Sequence, residues 1–507
     1  MSKMVESSAQ PGIEGAAGGL RVEGNGIDVI ADAERKGSPR DLFMPWFAAN
    51  VSVLGLSYGA YALGFGVSFV QALLAGVVGI VFSFLLCGFI SLAGKRGSAP
   101  TMVLSRAAFG VRGNRLPTFV SWVLTVGWET VLTVLATLAT ATVFERLGWG
   151  GGTLTKLVAL VVVAALVVAA GVLGFEVIMR VQTWITAVTA VLTVVYAVLV
   201  IDQIDLGTVT AVPSGSGQDM IGALVFLMTG FGLGWVNAAA DYSRYLPRRA
   251  SSGGVIGWTT FGSSLAPVLL FAFGLLLAGS SPDLAAGIGS DPIGALAAEL
   301  PTWFLVPFVL VAVLGLVGGA VLDIYSSGLA LLALGVRIPR WSAAFVDGAL
   351  MVLGTLYVVF AADDFVGPFQ GFLITLGVPV AAWCGVILAD IALRRREYHD
   401  EELYDARGRY GDVQWVAVAT MAVGSVVGWG LVTNTFAGWL DWQGYLLGPL
   451  GLGGREGGWA FANLGVLAAL VIGFVVTLVA ARGRVREQER DTKRDTGRDT
   501  GRDAVGV

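Results

Sequence analysis

Between Phe43 and Ala481 the chain is built from apolar runs of roughly twenty residues, each long enough to cross a hydrocarbon core of about 30 Å. They fall near 43–68, 70–93, 117–145, 155–175, 177–201, 219–240, 257–280, 303–335, 342–361, 366–393, 414–435 and 459–481. Within lipid, every backbone N–H and C=O must be paired inside the protein, which makes each run a helix. The reading is therefore an all-α polytopic membrane protein with about 12 transmembrane helices. Composition agrees: 55% of residues are hydrophobic and 13% are charged, where a soluble domain carries about 25% charged residues. Several runs are longer than a span requires, which signals tilt, a break or an extension into water.

The bases are sorted by side. Lys95, Arg96, Arg106, Arg112 and Arg115 follow the second run, Arg244, Arg248 and Arg249 the sixth, Arg337 and Arg340 the eighth, and Arg394–Arg396, Arg407 and Arg409 the tenth. Asp202, Asp205, Asp283, Asp291, Glu299, Asp363 and Asp364 follow odd-numbered runs, with Arg146, Lys156 and Arg455 as exceptions. The positive-inside rule then puts both termini in the cytoplasm, and the plasma (inner) membrane is the expected location. Residues 1–42 are polar and Gly-rich and read as a disordered tail, as does 482–507 with its Arg-Asp-Thr repeat. The net charge of −4 is not gathered into a basic patch, so no nucleic-acid partner is expected. Cys87 and Cys384 lie inside apolar runs and read as packing residues. One histidine, His399, no phosphate-binding loop and no nucleophile motif argue against an enzyme or a nucleotide-driven pump; no cofactor or metal is expected.

Two runs carry interruptions, and they stand five apart. The first is Pro45–Gly59, with Asn50, Ser52 and Gly55; the second holds Gly230, Gly232 and Gly234 just before Trp235. Matching breaks in two halves of opposite topology point to a binding site at mid-membrane. Close helix packing is the plainer use of such glycines. Acids at membrane depth, Glu129 and Asp323, cost roughly 2.5–3.5 kcal/mol each on insertion scales, which suggests ligand binding or proton carriage; a structural role as hydrogen-bond acceptor stays open for both. Trp128 and Trp235, also at depth, offer flat faces suited to a planar ring.

Particular segments resemble a known family. Trp46 with Phe47-Ala48-Ala49-Asn50, the stretch Gly97–Pro100 through Ser105–Gly110, Gly127-Trp128, Ala240-Asp241-Tyr242-Ser243-Arg244-Tyr245-Leu246-Pro247, Tyr325–Leu329 and Asp390 are similar to the nucleobase–cation symporters, closest to their purine–cytosine permease branch, over about residues 40–435. The resemblance implies a LeuT-type fold: a first five-helix repeat (about 43–201), an inverted second repeat (about 219–393) and two extra helices (about 414–481) within a transporter domain of 43–481. It further implies import of a nucleobase or related heterocycle driven by a cation. Trp128 would stack on the ring, Trp235 would lie beside it, Ser52 would hydrogen-bond it, and Gly234 would offer backbone groups.

Two positions depart from the family pattern. Asp323 stands where many relatives carry asparagine, and Leu132 where a polar amide usually sits. The resemblance puts sodium ligands at Ala48 and Val51 in the first span and at Val317 and Gly318 in the eighth, but the latter two have no hydroxyl. Protons are accordingly favoured over sodium, with Asp323 or Glu129 titrating. Other heterocycles (a hydantoin, allantoin, a vitamin precursor) remain alternatives, as does an amino acid or a non-transporting sensor. Oligomeric state is not legible.

Overall fold

A computed structural model of the protein describes residues 26–173, 175–362, 365–435 and 438–490; these residues form helices and no strand. Helices α1 (Phe43–Asn50) and α2 (Leu54–Leu63) make the broken first span, followed by α3 (Phe69–Arg96), α4 (Arg115–Arg146), α5 (Thr153–Leu173) and α6 (Phe175–Val200). The second set comprises α7 (Gly217–Gly230) and α8 (Ala239–Ser243), which belong to one broken span, then α9 (Ser252–Ser280), α10 (Leu305–Ala333), α11 (Arg340–Ala361) and α12 (Val366–Leu393). Helices α13 (Trp415–Trp429) and α14 (Leu464–Ala480) close the chain.

The expected count of twelve is not reached by length and apolarity alone. Among the described residues nine helices meet that standard, or ten when α14 is joined to Arg482–Arg490, which leaves it at 54°. The first span falls short because it is broken, and α13 because it stops after 15 residues, below the roughly 20 that a full crossing needs.

Helix packing repeats itself at an offset of five spans. Helix α1 packs on α9 as α7 packs on α3, and α2 on α9 as α8 on α3. Likewise α6 lies on α10 as α12 lies on α4, and α11 on α4 as α5 on α10. Five is odd, so the second copy runs inverted through the bundle. Helix α14 packs on α12 and α13, outside both repeats. Helix α6 is mostly exposed, whereas α12 is largely enclosed; the same apolar composition serves lipid contact in one and core in the other.

Parts of both stretches read as tails pack against the bundle. From residue 26 the chain packs against the bundle, with 3₁₀ turns at Asp32–Glu34 and Pro39–Leu42. Buried Arg35 donates to the Leu246 carbonyl at 2.6 and 2.8 Å, to Ser98 Oγ at 2.6 Å and to the Lys95 carbonyl at 2.7 Å. A guanidinium carries five donors, and the helix ends it reaches have carbonyls without helical partners. At the other end, Gln488 accepts from Arg394 at 2.7 Å. Residues 1–25 and the Arg-Asp-Thr repeat from 491 onward lie outside the described residues, as do Asp363 and Asp364.

Candidate functional site

The two helix breaks are stabilised by different hydrogen bonds, within the first span and from neighbouring spans in the sixth. Helix α1 ends at Asn50, whose amide turns back to the Trp46 carbonyl at 2.9 Å, and Val51 leaves the helical region at φ −84°, ψ 88°. In the sixth span Phe231, at φ −117°, ψ −105°, separates α7 from the short helix Gly232–Trp235. An interrupted helix at membrane depth exposes backbone groups that cost free energy unless paired. Helix α3 supplies the partners: Ser83 Oγ accepts the Gly232 N–H at 3.1 Å, and the Cys87 thiol donates to the Gly232 carbonyl at 3.1 Å. Tyr58 adds its hydroxyl to the Gly230 carbonyl at 3.3 Å. Cys87 thus does more than pack. Both cysteines are buried and free.

The two breaks face each other across a cavity of about 60 Å³, room for a few water molecules. Ser52, Trp128, Leu132, Trp235 and Asp323 line it, together with Asn50, Tyr58, Phe231, Gly315 and Gly319. Gly234 lies just behind the wall; a Cβ there would stand 3.0 Å from Trp128 Nε1. Trp128 Nε1 is buried, with no hydrogen-bond partner among the described residues. Phe369 and Phe372 meet the Trp128 ring edge-on at 5.7 and 6.1 Å, while Trp46 meets Trp235 edge-on at 6.0 Å. Among the described residues no donor meets the Asp323 carboxylate, so a donor on a ligand could. The six residues expected around a ligand therefore converge on one place. Tyr58, Phe231 and Asn50 also belong to the wall, and sequence reading did not assign them there; Asn50 at the first break was the available signal.

The residues expected to hold an ion lie where the first span meets α10. The Val51 carbonyl lies 3.2 Å from the point where a Cβ on Gly315 would stand, within one helical turn of Val317 and Gly318. Between the Ala48 carbonyl and Gly318 sits the side chain of Gln182, from α6. Its amide donates to Ala48 at 3.3 Å, and its Nε2 is 2.9 Å from a Cβ position on Gly318. A neutral NH₂ group occupies the space that the two helices leave. An opening of about 260 Å³, bordered by Lys36, Asp41, Ala48, Gln182, Tyr242 and Tyr245, leads to this point from the side of the N-terminal segment. Nothing in the hydropathy pattern marked Gln182; a lone amide in an apolar span was the missed sign.

Glu129 is fully buried, off the cavity and beside Ser327. It shares the interior of the α4–α10–α11 packing with Asp347, whose carboxylate accepts from Trp122 Nε1 at 2.8 Å and from Ser327 Oγ at 2.9 Å. Asp347 was not foreseen. Among the described residues no group of three metal-ligating side chains is assembled.

The Ala240–Pro247 segment ties several helix ends together. Asp241 is buried and accepts from the Thr101 N–H at 2.8 Å, Thr101 Oγ1 at 2.7 Å and Ser326 Oγ at 2.9 Å, which ties the loop 97–110 to α10. Arg244, fully buried, reaches Tyr325 Oη at 2.8 Å and the Gly26 carbonyl at 3.2 Å. The most recognisable stretch of the sequence therefore joins helix ends away from the cavity, with Trp235 just upstream lining it.

A sequence family described as permeases for cytosine/purines, uracil, thiamine and allantoin matches residues 29–448. The chain belongs to that family. Among curated relatives of this permease, the putative purine-cytosine permease YxlA of Bacillus subtilis (strain 168) is 24% identical over 411 residues, 78% of this chain and 85% of the relative. The cytosine permease of Escherichia coli (strain K12) is 25% identical over 390 residues, covering 72% and 80% of the two chains. Among solved structures, Mhp1, a nucleobase-cation-symport-1 family transporter in a closed conformation with bromovinylhydantoin bound, matches with a TM-score of 0.68 at 19% identity, over 92% of this chain and 97% of Mhp1. Its inward-facing conformation matches with a TM-score of 0.64, also at 19% identity, over 91% and 93% of the two chains. The permease has the LeuT-type arrangement of that fold.

Proposed function

We propose that this permease imports a nucleobase or a related planar heterocycle by proton symport across the plasma membrane, with both termini cytoplasmic. The observation that carries the reading is the cavity itself, where two helix breaks meet Trp128, Trp235 and the Asp323 carboxylate. A flat ring would lie against the Trp128 indole. Its N–H groups would donate to Asp323 and its acceptors would take the free Trp128 N–H, Ser52 or the amide of Asn50. The small size of the cavity fits an occluded state that widens on binding.

Proton coupling is supported by two features. The Gln182 amide stands where Ala48 and Gly318 would have to share a cation, and Asp323 and Glu129 are buried carboxyls able to take up and release a proton. Transport would proceed by rocking the group formed by α3, α9 and the broken spans against the group formed by α4, α5, α10 and α11, since each group packs extensively within itself. The sorting of basic residues supports the orientation.

A second reading keeps the fold and changes the ligand. Leu132 Cδ1 lies 2.9 Å from the Cβ position of Gly319, so that wall is apolar and would suit a ring with a hydrophobic substituent, such as a substituted hydantoin. The experiment is uptake of labelled cytosine, adenine, guanine, hypoxanthine, uracil, allantoin and benzylhydantoin in cells lacking their own permeases, at acidic and neutral pH, with and without sodium. Saturable uptake of one ring, faster at acidic pH and indifferent to sodium, is the expected result. Sodium dependence would remove the proton reading, and uptake of none would remove the substrate class.

A further inference from the structure

On the lipid-facing side, far from the cavity, α3, α12 and α14 border a groove of about 540 Å³. Helix α12 packs on both α3 and α14 and forms the floor between them. The walls come from Phe82, Leu86 and Phe89 on α3 and from Val471, Phe474 and Val475 on α14. The side chains of Phe82, Phe89, Val471 and Val475 are exposed. Their spacing (82, 86, 89 and 471, 474, 475) places each set on one helical face. An apolar cleft of this kind at membrane depth has only lipid to fill it.

The groove has one charged end. Arg96, the last residue of α3, and Arg394, just past α12, border it there. Their charges differ in standing. Arg394 is buried and paired with Asp390 at 2.6 Å. Arg96 is only half-buried; it donates to the carbonyls of Ile391 and Arg394 at 3.1 and 3.3 Å, and among the described residues no carboxylate pairs with it. Glu397, the acid nearest in sequence to this rim, is taken by Arg248 at 3.1 Å. Arg395 and Arg396 follow directly and are exposed. An acyl-chain cleft that ends on an uncompensated guanidinium at the level of the helix ends complements a lipid with a negative headgroup.

We propose that this groove is a binding site for an anionic phospholipid, with an acyl chain along α12 between α3 and α14 and its phosphate on Arg96. The assignment of the lipid to the cytoplasmic leaflet rests on the orientation proposed above; binding itself does not. The site stabilises the junction of α3, a member of the rocking group, with α14, which lies outside both repeats.

The test uses the purified, delipidated full-length protein in detergent, titrated with dioleoylphosphatidylglycerol or dioleoylphosphatidylcholine. Native mass spectrometry reads bound lipid, and the thermal unfolding midpoint reads stabilisation. Wild type should bind phosphatidylglycerol about fivefold more tightly than phosphatidylcholine, the effect of about one basic residue near a headgroup. Arg96→Gln keeps an amide donor for the α12 carbonyls and should lower phosphatidylglycerol to the phosphatidylcholine level, while Arg96→Lys should keep the preference. Ala392→Trp, which fills the groove from its exposed floor, should reduce both lipids. Equal binding of the two lipids by wild type, or an unchanged preference in Arg96→Gln, would overturn the proposal and leave ordinary annular lipid. Because detergent removes both leaflets, neither outcome depends on the membrane orientation or on the transported ring.

Discussion

Trp128 owes its position to what its neighbours lack. A Cβ on Gly127 would stand 2.1 Å from the Phe372 ring, so glycine there lets Phe372 approach and meet the indole edge-on. Gly234 likewise leaves room beside Trp128 Nε1. Trp128→Ala should cut uptake by about tenfold or more, since an aromatic pair adds about 0.5–1.5 kcal/mol beyond its buried area. The protein should still reach the membrane in normal amount, and normal transport by that variant would end the stacking reading. Asp323→Asn keeps the shape and supplies both donor and acceptor; its uptake should lose pH dependence or change ring preference, as measured on the same panel. Gln182→Ala removes the donor from the Ala48 carbonyl and opens the space beside Gly318. Its thermal midpoint should then rise with sodium chloride and not with choline chloride. An unchanged response would leave Gln182 as a packing residue.

At the scale of helices, glycine sets how closely the broken spans lie against their supports. A Cβ on Gly59 of α2 would stand 2.2 Å from the Leu275 nitrogen of α9, and one on Gly274 would stand 2.0 Å from the Leu56 carbonyl oxygen. Backbone meets backbone there, and no side chain can yield to make room. Gly274→Val should therefore cost about 1–3 kcal/mol of overpacking, seen as a lowered thermal midpoint. It should also slow transport, because α2 carries the first break and α9 holds it. The small-residue patterns of the sequence admitted either packing or a break, and both are present: Gly59 and Gly274 pack, whereas Gly230 and Gly232 flank Phe231 at the kink.

Across the whole molecule, one end of the bundle is covered by an N-terminal segment that hydropathy placed in a tail. Arg35 gathers the ends of α3 and of the sixth span, and Tyr404 from the loop after α12 donates to the Ile27 carbonyl. Opening the cavity toward that side requires these contacts to part. In Arg35→Ala the state open toward that side should be more populated, so a cysteine introduced at Ala48, beside the vestibule, should react faster with a membrane-permeant maleimide. The two native cysteines are wholly buried and give little background. An equal labelling rate would show that the segment packs without gating.

What the sequence determined alone are the properties that each residue carries by itself or with near neighbours in the chain. Uninterrupted apolar runs require helices in lipid, their polar flanks order the spans, and the breaks at Pro45–Gly59 and Gly230–Trp235 lie five spans apart. Resemblance added the repeat and grouped Ser52, Trp128, Leu132, Gly234, Trp235 and Asp323; the structure places five of them around one cavity, with Gly234 just behind it. The rest depends on pairs distant in the chain. Gln182 meets Ala48 from 134 residues away, Trp122 meets Asp347 across 225, and Arg35 meets Leu246 across 211. A hydrogen bond is made at about 3 Å between groups whose separation along the chain is irrelevant to its strength. Local composition therefore reveals that a buried amide, acid or guanidinium needs a partner, and only the folded packing of the helices selects which one it finds.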